Sequence, residues 1–250
     1  MRNPSSHKEG LHLLGPARFG YADAAATRVI EPAQFTRERI LDDAFITQVF
    51  AQLPADARLR TLEELEASIA GILSPHDPDA DVHVFGYGSL MWNPAVDHAG
   101  ARPATVHGWH RSFCLRSIIG RGSKERPGLM LALDRGGACH GLLLQIESRK
   151  VRDELRVLWR REMLTDVYRA RWVTARVGGT SMRAIAFTVN RSHPRYTKGL
   201  PLDEMARMIN TGEGSLGSCR EYFDATLRRL DALGIRDIGM ERLRAAAGSD

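Results

Sequence analysis

Apolar residues recur at the helical period in the first third of the chain. One such stripe runs from Phe35 to Leu53 and stops before Pro54, which predicts a single helix. A second helix is predicted from Thr61, because Thr61 and Glu64 have the spacing of a capping box and apolar residues then continue on one face. The stretch 74–81, SPHDPDAD, has the composition of a linker.

Beyond this linker the pattern changes to short β-rich runs. Strands are predicted at 82–86, 104–117, 128–135, 139–146, 169–177 and 181–190. The pairs Gly136-Gly137 and Gly178-Gly179 separate neighbouring runs and predict two hairpins, so the sheet should be largely antiparallel, either open or closed into a barrel. Helices are predicted at about 149–165, 201–210 and 219–233, and Asp237 begins a last one. The predicted fold class is α+β.

These changes of pattern divide the chain into three parts. Residues 1–30 are predicted to be a flexible tail, 31–80 a helical N-terminal extension, and 81–250 the main domain. Glycines and a proline interrupt the first twenty residues, so a secretory signal is not expected.

Composition narrows the class of protein. A chain of 250 residues with 43% hydrophobic and 26% charged residues is typical of a soluble globular protein. No apolar run is long enough to span a membrane, and a net charge of +5 is too mild to indicate a nucleic-acid partner. Cys114, Cys139 and Cys219 form no Cys-x-x-Cys motif, which favours a reducing, cytoplasmic location. The histidines show no metal-ligand spacing, so no metal is predicted.

The first candidate site is the run VHVFGYGSL at 82–90. Two glycines around one spacer allow a tight turn whose backbone N–H groups can approach an anionic oxygen, either a carboxylate or a developing oxyanion. The run lacks the third glycine of a dinucleotide fingerprint and the Gly-Lys-Ser/Thr of a phosphate-binding loop. The alternative is a glycine-rich turn beside a core tyrosine.

The second candidate is Glu162. In the predicted helix, Val151, Leu155, Leu158 and Trp159 form one apolar face, and Glu162 continues it. Burial would raise the pKa of this carboxyl group, as a general acid/base near neutral pH requires. A structural salt bridge with a neighbouring arginine, or a solvated Glu162 beyond the end of the stripe, would explain the same pattern.

Together, these motifs resemble the ChaC-like γ-glutamylcyclotransferases. The resemblance starts at VFGYGSLMWNP (84–94) and covers about 80–240. It continues, in order, through the segments GWHRSFCLRS (108–117), GLMLALDRGGACHGLLLQI (128–146), LWRREM (158–163), NRSHPRYTKGL (190–200) and GSLGSCREYFDATLRRLDALGIRD (214–237).

The resemblance implies a fold, a reaction and a set of residues. The fold would be a small mixed, largely antiparallel barrel with flanking helices. The reaction would be cleavage of glutathione to 5-oxoproline and cysteinylglycine, by attack of the substrate α-amine on its own γ-carbonyl, without a metal or organic cofactor. Glu162 matches the family's catalytic acid/base, and Tyr87, Gly88, Ser89 and Leu90 match its substrate-binding signature.

Further candidates for substrate binding follow from position. Arg116 and Ser117 close a predicted strand and Arg121 lies in the loop after it, where each could bind the glycyl carboxylate of glutathione, although a surface position would also explain them. Tyr222, in a helix with a predicted capping box at Ser218 and Glu221, is a candidate pocket hydroxyl or a core aromatic.

Two alternatives remain open at this stage. The same cyclisation could act on other γ-glutamyl amines or amino acids. A non-catalytic regulator of a cation transporter is the other alternative, but no basic amphipathic helix with aromatic anchors supports membrane insertion. The sequence does not give the oligomeric state.

Overall fold

The computed structural model describes residues 35–51, 53 and 57–248, so the predicted tail at 1–30 lies outside the described residues. The helices are α1 (Arg37–Leu41), α2 (Asp43–Phe50), α3 (Leu62–Leu73), α4 (Val151–Glu162), α5 (Leu202–Thr211), α6 (Cys219–Ala232) and α7 (Ile238–Ala247). The strands are β1 (Val82–Gly86), β2 (Gly100–Ser117), β3 (Gly128–Ile146), β4 (Tyr168–Val177), β5 (Thr180–Val189), β6 (Glu213–Gly214) and β7 (Gly217–Ser218). The α+β class is confirmed.

The first five strands form a closed barrel in the order β1-β3-β2-β4-β5. Strand β3 is antiparallel to β1 and β2, and β4 is antiparallel to β2 and β5. Strand β5 runs parallel to β1 and β3, and its contact with β1 closes the barrel. The small mixed, largely antiparallel barrel with flanking helices is therefore confirmed. No helix in the described part of the chain is long and apolar enough to cross a membrane.

The hairpin predicted at Gly136-Gly137 is wrong, because β3 continues through both glycines. Trp109 pairs with Arg135 and His107 pairs with Ala138, so Gly108 alone faces the two glycines across the ladder. Two residues opposite one form a β-bulge, which bends the strand as barrel closure requires. A bulge and a hairpin both use positive φ, here +107° and +66°, so the glycine pair alone does not separate them.

The hairpin predicted at Gly178-Gly179 is confirmed. These residues have φ of +53° and +93°, and the flanking Val177 and Thr180 pair directly. Positive φ at both central residues of a two-residue turn is typical of a type I′ hairpin.

The single helix predicted from Phe35 to Leu53 is also wrong, since the chain forms two helices separated at Asp42. Asp42 has extended backbone angles, and its side chain accepts a hydrogen bond from the Ala44 amide. Asp42 therefore acts as the N-cap of α2, a role in which a short carboxylate competes with helix continuation. The capping box predicted at Thr61 and Glu64 is present at the start of α3.

The N-terminal helices pack on α4. Glu154 of α4 is buried, forms an ion pair with Arg37 and accepts a hydrogen bond of 2.9 Å from its second guanidinium nitrogen. Trp159 is fully buried; its ring lies edge-on to Phe187 of β5, and its indole nitrogen donates to Ser68 of α3 at 3.0 Å. Helix α4 is thus fixed between the extension and the barrel, which sets the position of its last residue, Glu162.

Candidate active site

A cavity opens at one end of the barrel, between the N-terminal helices, β1, β2, α4 and α6. All eight residues predicted for catalysis or substrate binding line it, namely Tyr87, Gly88, Ser89, Leu90, Ser117, Arg121, Glu162 and Tyr222. The structure therefore brings together side chains that are up to 135 positions apart in the sequence. Their location is observed, while the chemical role of each remains a prediction.

The turn after β1 forms one wall of this cavity. Gly88 precedes a 3₁₀ turn at Ser89–Met91, in which Met91 donates to the Gly88 carbonyl at 2.9 Å and Trp92 to the Ser89 carbonyl at 3.1 Å. The amide of Met91 is the first one that donates a hydrogen bond within this turn. The amides of Ser89 and Leu90 precede it and are not used by the turn. Gly88 also approaches α6 closely, since a Cβ built there would lie 3.3 Å from the Tyr222 hydroxyl.

Arg111 of β2 holds this turn from behind. Its side chain is fully buried, and its Nε donates to the Tyr87 carbonyl at 2.5 Å. The remaining nitrogens donate to the His140 carbonyl at 2.6 Å and form an ion pair with Asp237 at 2.5 Å. One guanidinium thus ties the turn to β3 and to the N-cap of α7.

We expect Arg111→Met to lower the free energy of unfolding by about 3–5 kcal/mol, because it leaves the Asp237 carboxylate, the buried Tyr87 carbonyl and the partly buried His140 carbonyl without this donor. Urea denaturation would measure the change. The control is Arg236→Met, which removes an exposed cation paired with Glu241 and should change stability by at most about 0.5 kcal/mol. A loss below about 1 kcal/mol for Arg111→Met would show that the network holds the turn only weakly.

Glu162 is the last residue of α4 and faces the cavity. Its side chain is only 15% exposed. Desolvation raises the pKa of this carboxyl group above its ordinary value, and the adjacent Arg161 opposes that shift without cancelling it. The alternative of a solvated Glu162 is wrong, whereas the salt bridge is real: Arg161 Nε lies 3.0 Å from Glu162 Oε1.

Arg161 connects Glu162 to the turn after β1. Its Nη2 donates to the Ser89 hydroxyl oxygen at 2.7 Å, and its Nη1 donates to the Asn93 carbonyl at 2.6 Å. Its guanidinium carbon also lies 5.7 Å from the centre of the Phe35 ring, in a cation–π contact. The carboxylate, the turn and the N-terminal extension are therefore held by one side chain.

Three buried tyrosines surround the carboxylate. Burial raises the pKa of the Tyr87, Tyr168 and Tyr222 hydroxyls, and the charge of Glu162 adds to this shift, so all three stay protonated. Tyr87 donates to the Phe187 carbonyl at 2.6 Å and Tyr168 to the Leu131 carbonyl at 2.7 Å. With their protons used in this way, these two oxygens present lone pairs, which suit an ammonium or amine group.

Two of the other predicted residues, Ser117 and Arg121, already form side-chain hydrogen bonds within the protein. Ser117 is buried and donates to the Ile119 carbonyl at 2.6 Å. Arg121 donates to Glu221 at 3.0 Å and to the Ser218 carbonyl at 3.2 Å, so it already has an ion-pair partner in the α6 capping box. Arg116 is exposed but does line the cavity.

Sequence reasoning missed several lining residues, notably Phe35, Arg161, Tyr168 and Arg195. Arg161 stands beside Glu162, and the sequence indicates it only as a possible salt-bridge partner. Tyr168 begins a strand, where a tyrosine is ordinary, and Arg195 lies in a loop. No local signal distinguishes these two from structural residues, because their importance depends on contacts across the fold.

Over residues 35–51, 53 and 57–248, no cluster of three or more histidine, cysteine, aspartate or glutamate side chains could hold a metal ion.

The chain is similar in sequence to curated proteins named glutathione-specific γ-glutamylcyclotransferases. The glutathione-specific γ-glutamylcyclotransferase of Escherichia coli (strain K12) is 36% identical over 189 residues, covering 75% of this chain and 82% of the relative. The glutathione-specific γ-glutamylcyclotransferase 1 of Mus musculus is 31% identical over 151 residues, covering 58% of this chain and 67% of the relative.

A crystal structure of a yeast γ-glutamyl cyclotransferase specific to glutathione shares the fold. Its TM-score is 0.63 at 18% identity, with 67% of this chain and 96% of that chain covered. The family model described as ChaC-like protein matches residues 82–249, which include all five strands of the barrel and helices α4 to α7. This protein belongs to the ChaC-like family.

Proposed function

We propose that the protein is a γ-glutamylcyclotransferase, a lyase that cleaves glutathione into 5-oxoproline and cysteinylglycine. The observation that carries the proposal is the buried carboxylate of Glu162, which faces the same cavity as the turn Tyr87–Leu90. Family membership and the names of the relatives support glutathione as the substrate. We further propose a cytoplasmic location, since Cys114, Cys139 and Cys219 are all free thiols.

The substrate supplies its own nucleophile. Its α-amine nitrogen attacks its γ-carbonyl carbon and closes a five-membered ring, and the bond from that carbon to the cysteine nitrogen then breaks. No water is consumed and no protein nucleophile is required. The protein must therefore hold the γ-glutamyl arm in a bent conformation, since the two reacting groups already belong to one molecule.

Glu162 serves as the proton carrier in this mechanism. As a carboxylate it accepts the proton from the attacking amine, and as a carboxylic acid it donates that proton to the leaving nitrogen. A raised pKa suits this double role, because it moves the pKa toward neutral pH, where the same group can both accept and return a proton. The oxygens of Tyr87 and Tyr168 would receive the substrate amine before it reacts.

The turn Tyr87–Leu90 would bind the negatively charged oxygens of the reacting substrate. The amides of Ser89 and Leu90 would stabilise the negative charge that develops on the γ-carbonyl oxygen, or hold the substrate α-carboxylate. The Ser89 hydroxyl accepts from Arg161, so its own proton remains available to a substrate oxygen.

A panel of substrates tests the proposed activity. The purified protein would be incubated separately with glutathione, with a γ-glutamyl amino acid and with a γ-glutamyl amine, and 5-oxoproline would be measured by mass spectrometry. We expect the highest kcat/KM for glutathione. Turnover of the other two compounds alone would move the activity to a different γ-glutamyl substrate. No 5-oxoproline from any of them would contradict an enzymatic role.

A further inference from the structure

Four arginines but only one carboxylate line the cavity among the residues that the structure describes. The arginines are Arg116, Arg121, Arg161 and Arg195, and the carboxylate is Glu162. Arg161 is paired with Glu162, and Arg121 with Glu221. The other two, Arg116 and Arg195, have no ion-pair partner among the described residues.

Arg195 is the more unusual of these two. Its Nε is buried and has no hydrogen-bond partner in the described part of the chain. Among the described residues, its side chain forms a single hydrogen bond, a long contact of 3.4 Å from Nη2 to the Thr165 hydroxyl. Desolvation lowers the pKa of the guanidinium from its ordinary value. A partly buried cation without a counterion is costly, which indicates that a ligand supplies the missing charge.

Arg116 stands next to it on the cavity wall. The Arg116 amide donates to the Arg195 carbonyl at 2.8 Å, so the two backbones are joined. The Arg116 side chain is exposed, and it forms no ion pair with any residue from 35 to 248 that the structure describes. Two guanidinium groups in this arrangement suit an anion with two oxygens, since arginine binds carboxylates through paired hydrogen bonds.

The position of Arg195 distinguishes between the two carboxylates of a γ-glutamyl peptide. The backbone of Arg195 is joined to that of Arg116, whose exposed side chain places this pair of arginines on the side of the cavity that is open to solvent. Arg161, by contrast, is the arginine that is paired with Glu162. The α-carboxylate shares a carbon with the attacking amine and must stay near Glu162. The C-terminal carboxylate follows two further residues, a span of up to about 7 Å.

We propose that Arg195, with Arg116 beside it, binds the C-terminal carboxylate of the peptide substrate. This inference rests on the proposed function. It adds a preference among γ-glutamyl compounds, which the cyclisation itself does not require because all of them carry the same reacting group. A γ-glutamyl amine, or a peptide whose C-terminus is amidated, would leave the Arg195 guanidinium buried and unpaired. The protein should therefore select peptides with a free C-terminus.

The test compares glutathione with its glycyl amide. In the wild type we expect kcat/KM to be about 10- to 100-fold higher for glutathione, the effect of one charge-assisted contact. Arg195→Gln should lower kcat/KM for glutathione by that factor, mainly through KM, and leave the amide within about twofold. Arg195→Lys keeps the charge and should restore part of the preference. The control Arg207→Gln, an exposed cation on α5, should change neither substrate.

Two results would overturn the proposal: a wild type that treats both compounds alike, or an Arg195→Gln variant that loses activity on both equally. The second result would indicate a structural role.

A binding measurement separates this inference from the proposed function. Calorimetry would give the Kd of glutathione and of its glycyl amide for Glu162→Gln and for Glu162→Gln with Arg195→Gln. If the wild type makes no 5-oxoproline, yet glutathione binds more tightly than the amide only when Arg195 is present, the cyclotransferase proposal fails and the carboxylate site stands. Turnover without this difference in Kd overturns the site alone. Absence of both turnover and binding overturns both.

Discussion

Replacing Glu162 by Gln is expected to lower kcat for glutathione cleavage about 10²- to 10⁴-fold. The amide keeps the shape of the side chain but neither accepts nor donates the proton that must move from the attacking amine to the leaving nitrogen. Because the substrate still meets the turn Tyr87–Leu90, KM should change much less than kcat. Steady-state assay of cysteinylglycine release would measure both constants.

Asp153→Asn is the matched control for this variant. Asp153 lies on the same helix, but its side chain is 71% exposed and does not line the cavity. The control should keep kcat within about twofold of the wild type. If Glu162→Gln keeps activity at a similar level, the assignment of Glu162 as the proton carrier is wrong.

The Glu162→Gln variant should also differ from the wild type in stability. Burial raises the folded-state pKa of Glu162, so this group favours folding when it is protonated. That contribution is fully present below the unfolded-state pKa and is lost as the pH rises through the folded-state pKa. As the pH rises through the folded-state pKa, the wild type therefore acquires a buried charge that Gln lacks. We expect Glu162→Gln to melt at or above the wild-type temperature at pH 7, with the difference shrinking as the pH falls toward 4.

Arg161→Met should cause the second large loss, about 10²-fold in kcat/KM near neutral pH, because several charge-assisted contacts disappear together. Without Arg161, the Ser89 hydroxyl and the Asn93 carbonyl lose their donor, and the turn after β1 is no longer tied to α4. The Phe35 ring also loses its cation. The turn would then adopt the productive geometry less often, which lowers kcat/KM.

The pH dependence of this variant distinguishes it from simple unfolding. The positive charge of Arg161 lowers the pKa of Glu162, so its removal raises that pKa further. Glu162 must be deprotonated to accept the amine proton, and the acid limb of the kcat/KM profile should therefore move to higher pH. Arg156→Met, on the exposed face of the same helix, should leave the limb in place. An unchanged acid limb in Arg161→Met would contradict the coupling between these two residues.

The sequence predicts those residues of the site whose pattern is visible within one segment of the chain. Glu162 continues an apolar stripe with a period of 3.6 residues, so the spacing indicates that it can be buried but does not exclude a solvated side chain beyond the end of the stripe. The Gly-Tyr-Gly-Ser turn is visible because glycine permits close backbone approach. The roles of both came from resemblance to a family, since spacing left structural explanations open.

The wrong and missed predictions concern features that depend on contacts between distant segments or on two structures that the same residues permit. Gly136 and Gly137 provide positive φ, which a bulge and a hairpin require equally, and only closure of the barrel favours the bulge. Asp42 ends one helix and caps the next, although the apolar stripe continues across it. Arg195 carries no signal at all, because its lack of a counterion becomes visible only when the whole cavity is assembled.

The central claim is that the substrate amine, and not water, attacks the γ-carbonyl. The most direct measurement is a reaction with glutathione in water enriched in ¹⁸O, with mass spectrometry of the products. Intramolecular attack consumes no water, so we predict 5-oxoproline without the label, together with cysteinylglycine and no free glutamate. Glutamate carrying one ¹⁸O atom would show that the protein is a hydrolase and would contradict the mechanism.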